Sequence, residues 1–147
     1  MYVRELHARY RLRRLVGMSL PLGPLQTPRD AALIFMSLLR DEVVEVGGLL
    51  CLSTRQHVLA YHELSRGTVD ATVMHPRDVF KVALLSNATI LILGHNHPSG
   101  DVTPSPDDLA VTRRIASAGE LMGIQLVDHV IVSADGKYLS FKESGRL

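Results

Sequence analysis

The chain has 147 residues, of which 46% are hydrophobic and 21% are charged, so it can bury one core and differs in composition from disordered chains. Its single cysteine, Cys51, excludes an internal disulfide, and no apolar run reaches the ~18–20 residues that a membrane span needs. Because the N-terminus also lacks a secretory pattern, the sequence predicts a cytoplasmic protein that does not contact a membrane.

The net charge of +1 is unevenly distributed along the chain. Residues 1–27 contain five arginines and one glutamate, whereas the remaining residues contain 11 basic and 14 acidic side chains. We therefore predict a basic N-terminal arm and linker over residues 1–27 and a single domain over 28–147. A weak nucleic-acid contact through the arm is one interpretation, and an arm that is solvated or paired with acidic groups is the favoured one.

Cap and turn residues predict a helix and a hairpin in the first half of the domain. Thr27 followed by Pro28 indicates a helix start, and the apolar pattern continues to about Asp41. Two apolar runs, 45–52 and 57–64, flank four turn residues, which predicts an antiparallel hairpin. Gly67 predicts a turn, with an extended piece over 68–73.

The second half alternates predicted strands and helices. Pro76 begins a helix that ends near Asn87, and an apolar strand follows over 88–94. A helix from Pro106 to about Met122 precedes strands over 124–132 and 137–141. Its apolar side is assigned to Leu109, Ile115, Ala116 and Leu121. This order predicts an α/β fold in which a mixed sheet is sandwiched by helices.

Two histidines stand directly after the predicted strand 88–94. Their spacing lets His95 and His97 project to the same side, and neutral imidazole is a good zinc ligand. Prolines and a glycine in the next loop can return Asp108, in the first turn of the following helix, to the strand end. Spacing alone leaves two interpretations open: a three-ligand metal site, or a capping box in which Ser105 and Asp108 begin the helix.

The segment HNHPSGDVTPSPDD resembles the H-x-H-P-x(6)-S-x-x-D signature of the JAMM (MPN+) metalloprotease superfamily, and its surroundings are similar to the RadC-like branch. The likeness covers about residues 28–143. It implies the JAMM/MPN fold, a cytidine-deaminase-like mixed sheet between helices. It also implies one zinc ion held by His95, His97 and Asp108, and a Ser105 hydroxyl that hydrogen-bonds the oxyanion. Asn96 fits the RadC-like branch and weakens any carry-over of ubiquitin specificity.

The family also has a glutamate on an early strand, in a context like E-x-x-G-L-L. The segment EVGGLLCL puts Glu45 in that position, and the resemblance favours it over Glu42 and Glu63, which the pattern alone does not separate from it. Glu45 would be the general base and not a metal ligand. The implied function is that of a zinc metalloprotease, which cleaves a peptide or isopeptide bond in an unidentified peptide or protein substrate.

Three other functions compete with this interpretation. Zinc deaminases need H-x-E and P-C-x-x-C, which a chain with one cysteine cannot supply. A non-catalytic interaction module is disfavoured because every signature residue is present. A DNA-associated role, in repair or as a metal-dependent nuclease accessory, stays the alternative, and salt-sensitive DNA binding through the arm would indicate it.

His129, in the predicted strand 124–132, has two interpretations. It can support a ligand imidazole through a hydrogen bond, or it can be a satisfied strand histidine. The second is favoured because histidines are commonly buried to an intermediate degree.

Overall fold

The computed structural model describes residues 1–15, 20–67 and 74–147. Helices and strands mostly alternate in these ranges, and the bounds are α1 Pro28–Leu39, β1 Glu45–Leu52, β2 Val58–Gly67, α2 Pro76–Leu85, β3 Ile90–Asn96, α3 Pro106–Met122, β4 Gln125–Val132 and β5 Tyr138–Ser140. The extended piece predicted over 68–73 lies outside the described residues.

Each helix begins at a side-chain cap followed by a proline. Thr27 caps α1 and Ser105 caps α3, and in both cases a reciprocal acidic partner completes a capping box. His75 caps α2, where its ring nitrogen accepts a hydrogen bond from the backbone of Arg77 at 3.0 Å. Proline fits the first turn because its missing N–H has no partner in the helix. The local sequence therefore fixes where the helices start.

The five strands of the described ranges form one mixed sheet in the order β2-β1-β3-β4-β5. β1 pairs antiparallel with β2 and with β3, β3 pairs parallel with β4, and β4 pairs antiparallel with β5. In the register of the central strands, Gly47 lies opposite His95, which in turn lies opposite Ile131. The predicted α/β fold class, a mixed sheet between helices, is confirmed.

The two faces of the sheet are covered by different helices. Alternate side chains of β1 and β3, such as Leu50 and Ile92, pack with α1 in one core cluster. The intervening side chains, such as Leu49 and Leu93, pack in a second cluster with residues of α2 and α3. By this alternation His95 faces α3, and Asn96 faces the α1 side of the sheet.

Strand ends differ from the sequence prediction because pairing with neighbouring strands extends them. β2 continues to Gly67, which lies opposite Glu45. β3 starts at Ile90 and continues to Asn96, which pairs with Val132 of β4. The prediction that both histidines follow the strand was therefore wrong for His95, which is part of it.

The predicted apolar side of α3 was also partly wrong. Leu121 is 89% exposed, and the buried face of the helix is formed instead by small and polar residues together with two aliphatic ones. These residues are Asp108, Val111, Thr112, Ile115 and Gly119. Hydrophobicity alone could not identify this face, because it includes the polar residues Asp108 and Thr112, whose burial is compensated by hydrogen bonds.

The N-terminal residues 1–14 are exposed, whereas Leu25 is buried and its backbone N–H bonds the carbonyl of Gln56 at 3.0 Å. The boundary between arm and domain at residue 28 stays a prediction. Within the described ranges, no helix combines the length and the apolar character needed to cross a bilayer.

Candidate metal centre

His95, His97 and Asp108 meet where the end of β3 faces the first turn of α3. His95 Nε2 lies 2.9 Å from His97 Nε2 and 3.2 Å from Asp108 Oδ1. His97 Nε2 lies 3.6 Å from Asp108 Oδ2. One ligand atom from each residue can be chosen so that all lie within 4.8 Å of one another. The structure therefore brings together the three residues that the sequence predicted as metal ligands.

The chain between the histidines and α3 is held in a tight bend. The backbone N–H of His97 bonds the Val132 carbonyl at 2.9 Å, which keeps this residue beside β4. Gly100 then adopts a φ of +84°, which glycine tolerates best, and its N–H bonds the His97 carbonyl at 3.1 Å. His97 Nδ1 lies 2.6 Å from the Asp101 carbonyl oxygen, and since a carbonyl oxygen only accepts, His97 Nδ1 is the donor. In the neutral ring the lone pair is then on His97 Nε2, the nitrogen that faces the cluster.

Asp108 takes part in the helix cap and in the histidine cluster at the same time. Its Oδ2 accepts a hydrogen bond from the Ser105 backbone N–H at 2.8 Å, and the Ser105 hydroxyl accepts one from the Asp108 N–H at 3.1 Å. Its Oδ1 faces His95. The capping box and the cluster, which the sequence presented as alternatives, therefore coexist.

The electrostatics of the cluster favour an ionised carboxylate. Burial by itself raises the pKa of Asp108, but interactions with the imidazoles of His95 and His97 outweigh it and hold that pKa well below its usual range. The same hydrogen bond with Asp108 raises the pKa of His97, against an opposing effect of burial. Because a histidine ligand must be neutral, protonation of His97 and metal binding would compete with each other.

Glu45, the first residue of β1, lies on the same face of the sheet as His95. Gly47 is opposite His95 in the antiparallel pair, and Glu45 precedes Gly47 by two residues. The charge of Glu45 also makes a small contribution to the raised pKa of His97. Glu45 nevertheless lies outside the group of mutually close ligand atoms found among the described residues.

The two competing glutamates are engaged elsewhere. Arg66 donates to Glu42 at 2.7 Å and to Glu63 at 2.8 Å, which ties both carboxylates to one guanidinium. Neither carboxylate belongs to the His–His–Asp group found among the described residues.

Residues 25–146 match the profile of a family described as the RadC-like JAB domain. The chain belongs to this family. Several UPF0758 proteins are similar to it. The one from Thermotoga maritima is 49% identical over 112 residues, which are 76% of this chain and 49% of that protein.

A second relative, from Desulfitobacterium hafniense, is 42% identical over 123 residues, or 84% of this chain and 54% of that protein. A third, from Shouchella clausii, is 44% identical over 121 residues, or 82% and 52%. The chain thus spans about half the length of these relatives. Family and geometry together define a RadC-like JAB domain with a His–His–Asp group that could hold a metal ion.

Asn96 has a structural role in this RadC-like JAB domain that the sequence did not predict. Its side-chain Oδ1 accepts from the Val46 N–H at 2.8 Å, and its Nδ2 donates to the Val44 carbonyl at 2.9 Å. These are the backbone neighbours of Glu45 on either side. Asn96 therefore fixes the backbone that carries Glu45, although its own side chain is on the opposite face of the sheet from the histidines.

His129 is more than the satisfied strand histidine that the sequence favoured. Its Nε2 lies 2.8 Å from His95 Nδ1, and its Nδ1 lies 2.7 Å from the Thr112 hydroxyl. Burial lowers the pKa of His129 well below its usual value. Thr112 follows Asp108 by one helical turn, a spacing that could have indicated a shared face. Asp128 points elsewhere, and accepts from the Ser140 hydroxyl at 2.7 Å.

Proposed function

We propose that this JAB domain is a zinc-dependent hydrolase, and specifically a metallopeptidase that cleaves a peptide or isopeptide bond. The observation that carries the proposal is the convergence of His95, His97 and Asp108 at the end of β3 in a member of the RadC-like JAB family. The activity of the longer relatives as whole proteins is not assumed, since the chain spans about half of their length.

The donor set fits zinc. Two imidazole nitrogens and one carboxylate oxygen, with a fourth position left open, are typical of catalytic zinc sites. The depressed pKa of Asp108 keeps that carboxylate deprotonated, as a ligand must be. Zinc held by these residues would supply Lewis acidity, which lowers the pKa of a coordinated water from about 15.7 to about 7.

Glu45 would act as the general base. Its place on the face of His95, together with the effect of its charge on His97, supports a carboxylate that accepts a proton from the attacking water and passes it to the leaving amine. Its exclusion from the close ligand group supports a proton-transfer role in preference to metal binding.

Ser105 would donate a hydrogen bond to the oxyanion of the tetrahedral intermediate. In the capping box its hydroxyl oxygen accepts a hydrogen bond from the Asp108 N–H, and this bond does not use the hydroxyl proton, which can be donated to a substrate. A positioned donor of this kind typically contributes about 3–4 kcal/mol to transition-state stabilisation.

The edge of the sheet at β2 supports the proposal that the substrate is a peptide. In the described part of the chain β2 is an edge strand with a mostly exposed surface, and its Gly67 end lies opposite Glu45. An extended peptide could add to such an edge through backbone hydrogen bonds, which would bring its scissile bond toward the cluster.

DNA contact through the N-terminal arm is a second candidate function, favoured by one observation. Residues 1–14, which contain the five arginines, are exposed. If DNA is a partner, affinity should fall steeply with salt and should be lost when these arginines are replaced by glutamine. Peptide hydrolysis should be insensitive to the same replacements.

Metal content and peptide cleavage together test the proposal. Elemental analysis of protein reconstituted with zinc and freed of excess should find about one zinc per chain in the wild type and in Glu45→Gln, and little in Asp108→Asn. Asp107→Asn, an exposed neighbour in the same helix turn, is the matched control. The wild type and Glu45→Gln should each be incubated with a diverse peptide mixture and the products read by mass spectrometry. New peptide termini should appear with the wild type and not with Glu45→Gln. Wild type that cannot be loaded with zinc would refute the proposal.

A further inference from the structure

A chain of three buried hydrogen bonds leads from one candidate ligand to another through residues outside the signature. His95 Nδ1 lies 2.8 Å from His129 Nε2, and His129 Nδ1 lies 2.7 Å from Thr112 Oγ1. The Thr112 hydroxyl in turn donates to the Asp108 backbone carbonyl at 2.6 Å. His95, His129 and Thr112 are each no more than 1% exposed, so water does not compete for these bonds.

The number of available protons fixes the direction of each bond. The Thr112 hydroxyl has one proton, and it goes to the Asp108 carbonyl, which has none to give. Toward His129 the hydroxyl can therefore only accept, so His129 carries its proton on Nδ1. The ring of His129 is fully buried and stacked on Phe141, with ring centroids 4.7 Å apart, where an imidazolium would be costly.

A neutral His129 that is protonated on Nδ1 presents a lone pair on Nε2. The 2.8 Å contact with His95 then requires the proton of that bond to come from His95 Nδ1. In the neutral ring His95 Nε2 then carries the lone pair, and this is the atom that faces His97 and Asp108. The Thr112 hydroxyl thus sets the donor-to-acceptor direction of every hydrogen bond in the series, and it is two hydrogen bonds away from His95.

We propose that Thr112 and His129 are positioning residues that fix the tautomer and the ring orientation of His95, so that Nε2 is the atom offered to a metal ion. The inference rests on the metal-binding part of the proposed function and is independent of peptide hydrolysis. Thr112 also joins the helix that carries Asp108 to the strand that carries His129, so one hydroxyl ties both sides of the cluster together.

Replacing the hydroxyl by a methyl group of the same size tests the idea. In Thr112→Val, His129 Nδ1 would face a methyl group, and the ring should move its proton to Nε2. His95 would then accept at Nδ1 and carry its own proton on Nε2. Thr112→Ser keeps the hydroxyl and is the matched control. The readout is the tautomer of both rings, from ring-nitrogen chemical shifts in ¹⁵N NMR spectra of the metal-free protein.

We expect wild type and Thr112→Ser to have His95 protonated on Nδ1, and Thr112→Val to shift it toward Nε2. An unchanged His95 tautomer in folded Thr112→Val would overturn the proposal. So would a Thr112→Ser variant that behaves like Thr112→Val, since packing of the γ-methyl would then be responsible. Denaturant unfolding of the three proteins, compared in parallel, separates these outcomes from a general loss of structure.

Zinc affinity, measured by competition with a chromophoric chelator, gives the functional consequence. Loss of a hydrogen-bond partner of a ligating histidine typically weakens metal binding about 10–100-fold, and we expect this for Thr112→Val and a change below about threefold for Thr112→Ser. Equal affinities for all three proteins would contradict the inference. If the wild type binds no zinc, the proposed function fails, and the tautomer comparison still decides whether the two positioning residues act as described.

Discussion

Ser105 and Asp108 show how one short motif serves folding and chemistry with different atoms. One oxygen of Asp108 accepts from the Ser105 backbone, and the other faces His95. Thr27 and Asp30 form the same capping box at the start of α1, without any nearby histidine cluster in the described residues. The two boxes therefore offer a comparison of the cap alone with the cap plus the candidate site.

Ser105→Ala and Thr27→Ala should separate the two contributions. Both variants lose an N-cap, so both should lower the free energy of unfolding by about 1 kcal/mol, measured by denaturant titration. Only Ser105→Ala removes the proposed oxyanion donor, so only it should lower kcat for peptide cleavage, by about 10²–10³-fold. Equal activities of the two folded variants would leave Ser105 as a helix cap and nothing more.

At this scale the sequence predicted the residues of the contiguous signature and missed their supports. His95, His97, Ser105 and Asp108 belong to one segment with fixed spacing, so a local pattern can reveal them. Thr112, His129 and Asn96 acquire their contacts through strand pairing and helix packing. Helical spacing places Thr112 on the face of Asp108, but no local spacing encodes the contacts of His129 or Asn96, which is why a histidine in β4 resembled an ordinary strand residue.

Among the elements, the start of β1 depends on a side chain from its neighbour. Backbone pairing between β1 and β3 extends only to Gly47 and His95, one residue short of Asn96. The carboxamide of Asn96 then takes over, bonding the backbone on both sides of Glu45. A side chain thus extends the contact between the two strands to the position of the proposed base.

Asn96→Ala should loosen this end of the strand. It leaves the Val46 N–H and the Val44 carbonyl without their buried partner, which should lower the free energy of unfolding by about 2–4 kcal/mol. Amide hydrogen exchange of Val46 should accelerate more than that of Leu50, in the middle of the strand. Gln125→Ala, at an exposed position of β4, is the control for side-chain removal and should change neither quantity measurably. Unchanged exchange at Val46 would argue against this account of Asn96.

Phe35 of α1 packs closely against Gly94 of β3, and this contact can be tested by substitution. A Cβ atom at Gly94 would lie 2.4 Å from the Phe35 ring, so Gly94→Ala should cost about 1–3 kcal/mol of stability. Gly23→Ala, where no atom lies within 4 Å of the added carbon, is the matched control and should be nearly neutral. In a double-mutant cycle, Phe35→Leu should relieve part of the cost, and full additivity would show that the ring is not the obstacle.

Element starts were predictable where a cap and a proline coincide, as at Pro28, Pro76 and Pro106. Strand ends were less predictable because they depend on partners from other parts of the chain. β3 extends to Asn96 because β4 continues beside it, and β2 extends to Gly67 because β1 begins opposite that residue.

For the whole molecule, burial on both faces of the sheet makes alkaline conditions unfavourable. Burial raises the pKa of Cys51, on the α2 and α3 face, to about 11, with a smaller opposing effect of Ser86. Burial also raises the pKa of Tyr61, on the α1 face, to about 12. Both groups stay protonated in the folded protein at a pH where the unfolded chain would ionise.

Stability should therefore decline as the pH rises above about 9. Between the unfolded and folded pKa values the native state binds more protons, so the free energy of unfolding falls with increasing pH. Cys51 alone should account for roughly 2 kcal/mol of the decline by pH 11. Chemical denaturation at a series of pH values should show the decline starting about one pH unit later in Cys51→Ala, where Tyr61 still contributes. Identical profiles for both proteins would contradict this assignment.

The alternation of strands and helices was enough to predict a mixed sheet between helices. It could not predict that β1 lies between β2 and β3, because the hairpin fixes only one of its two neighbours. That second pairing puts Glu45 on the face of His95, so the proposed part of Glu45 could be inferred from family resemblance but not from periodicity.

The pairing of Gly47 with His95 joins segments that are far apart in the chain. Nearly fifty residues separate these partners, and closing such a loop has an entropic cost that only the assembled sheet offsets. The three candidate ligands, by contrast, lie within the 14 residues from His95 to Asp108. We therefore expect these ligands to meet during folding before the pairing that carries Glu45 is complete.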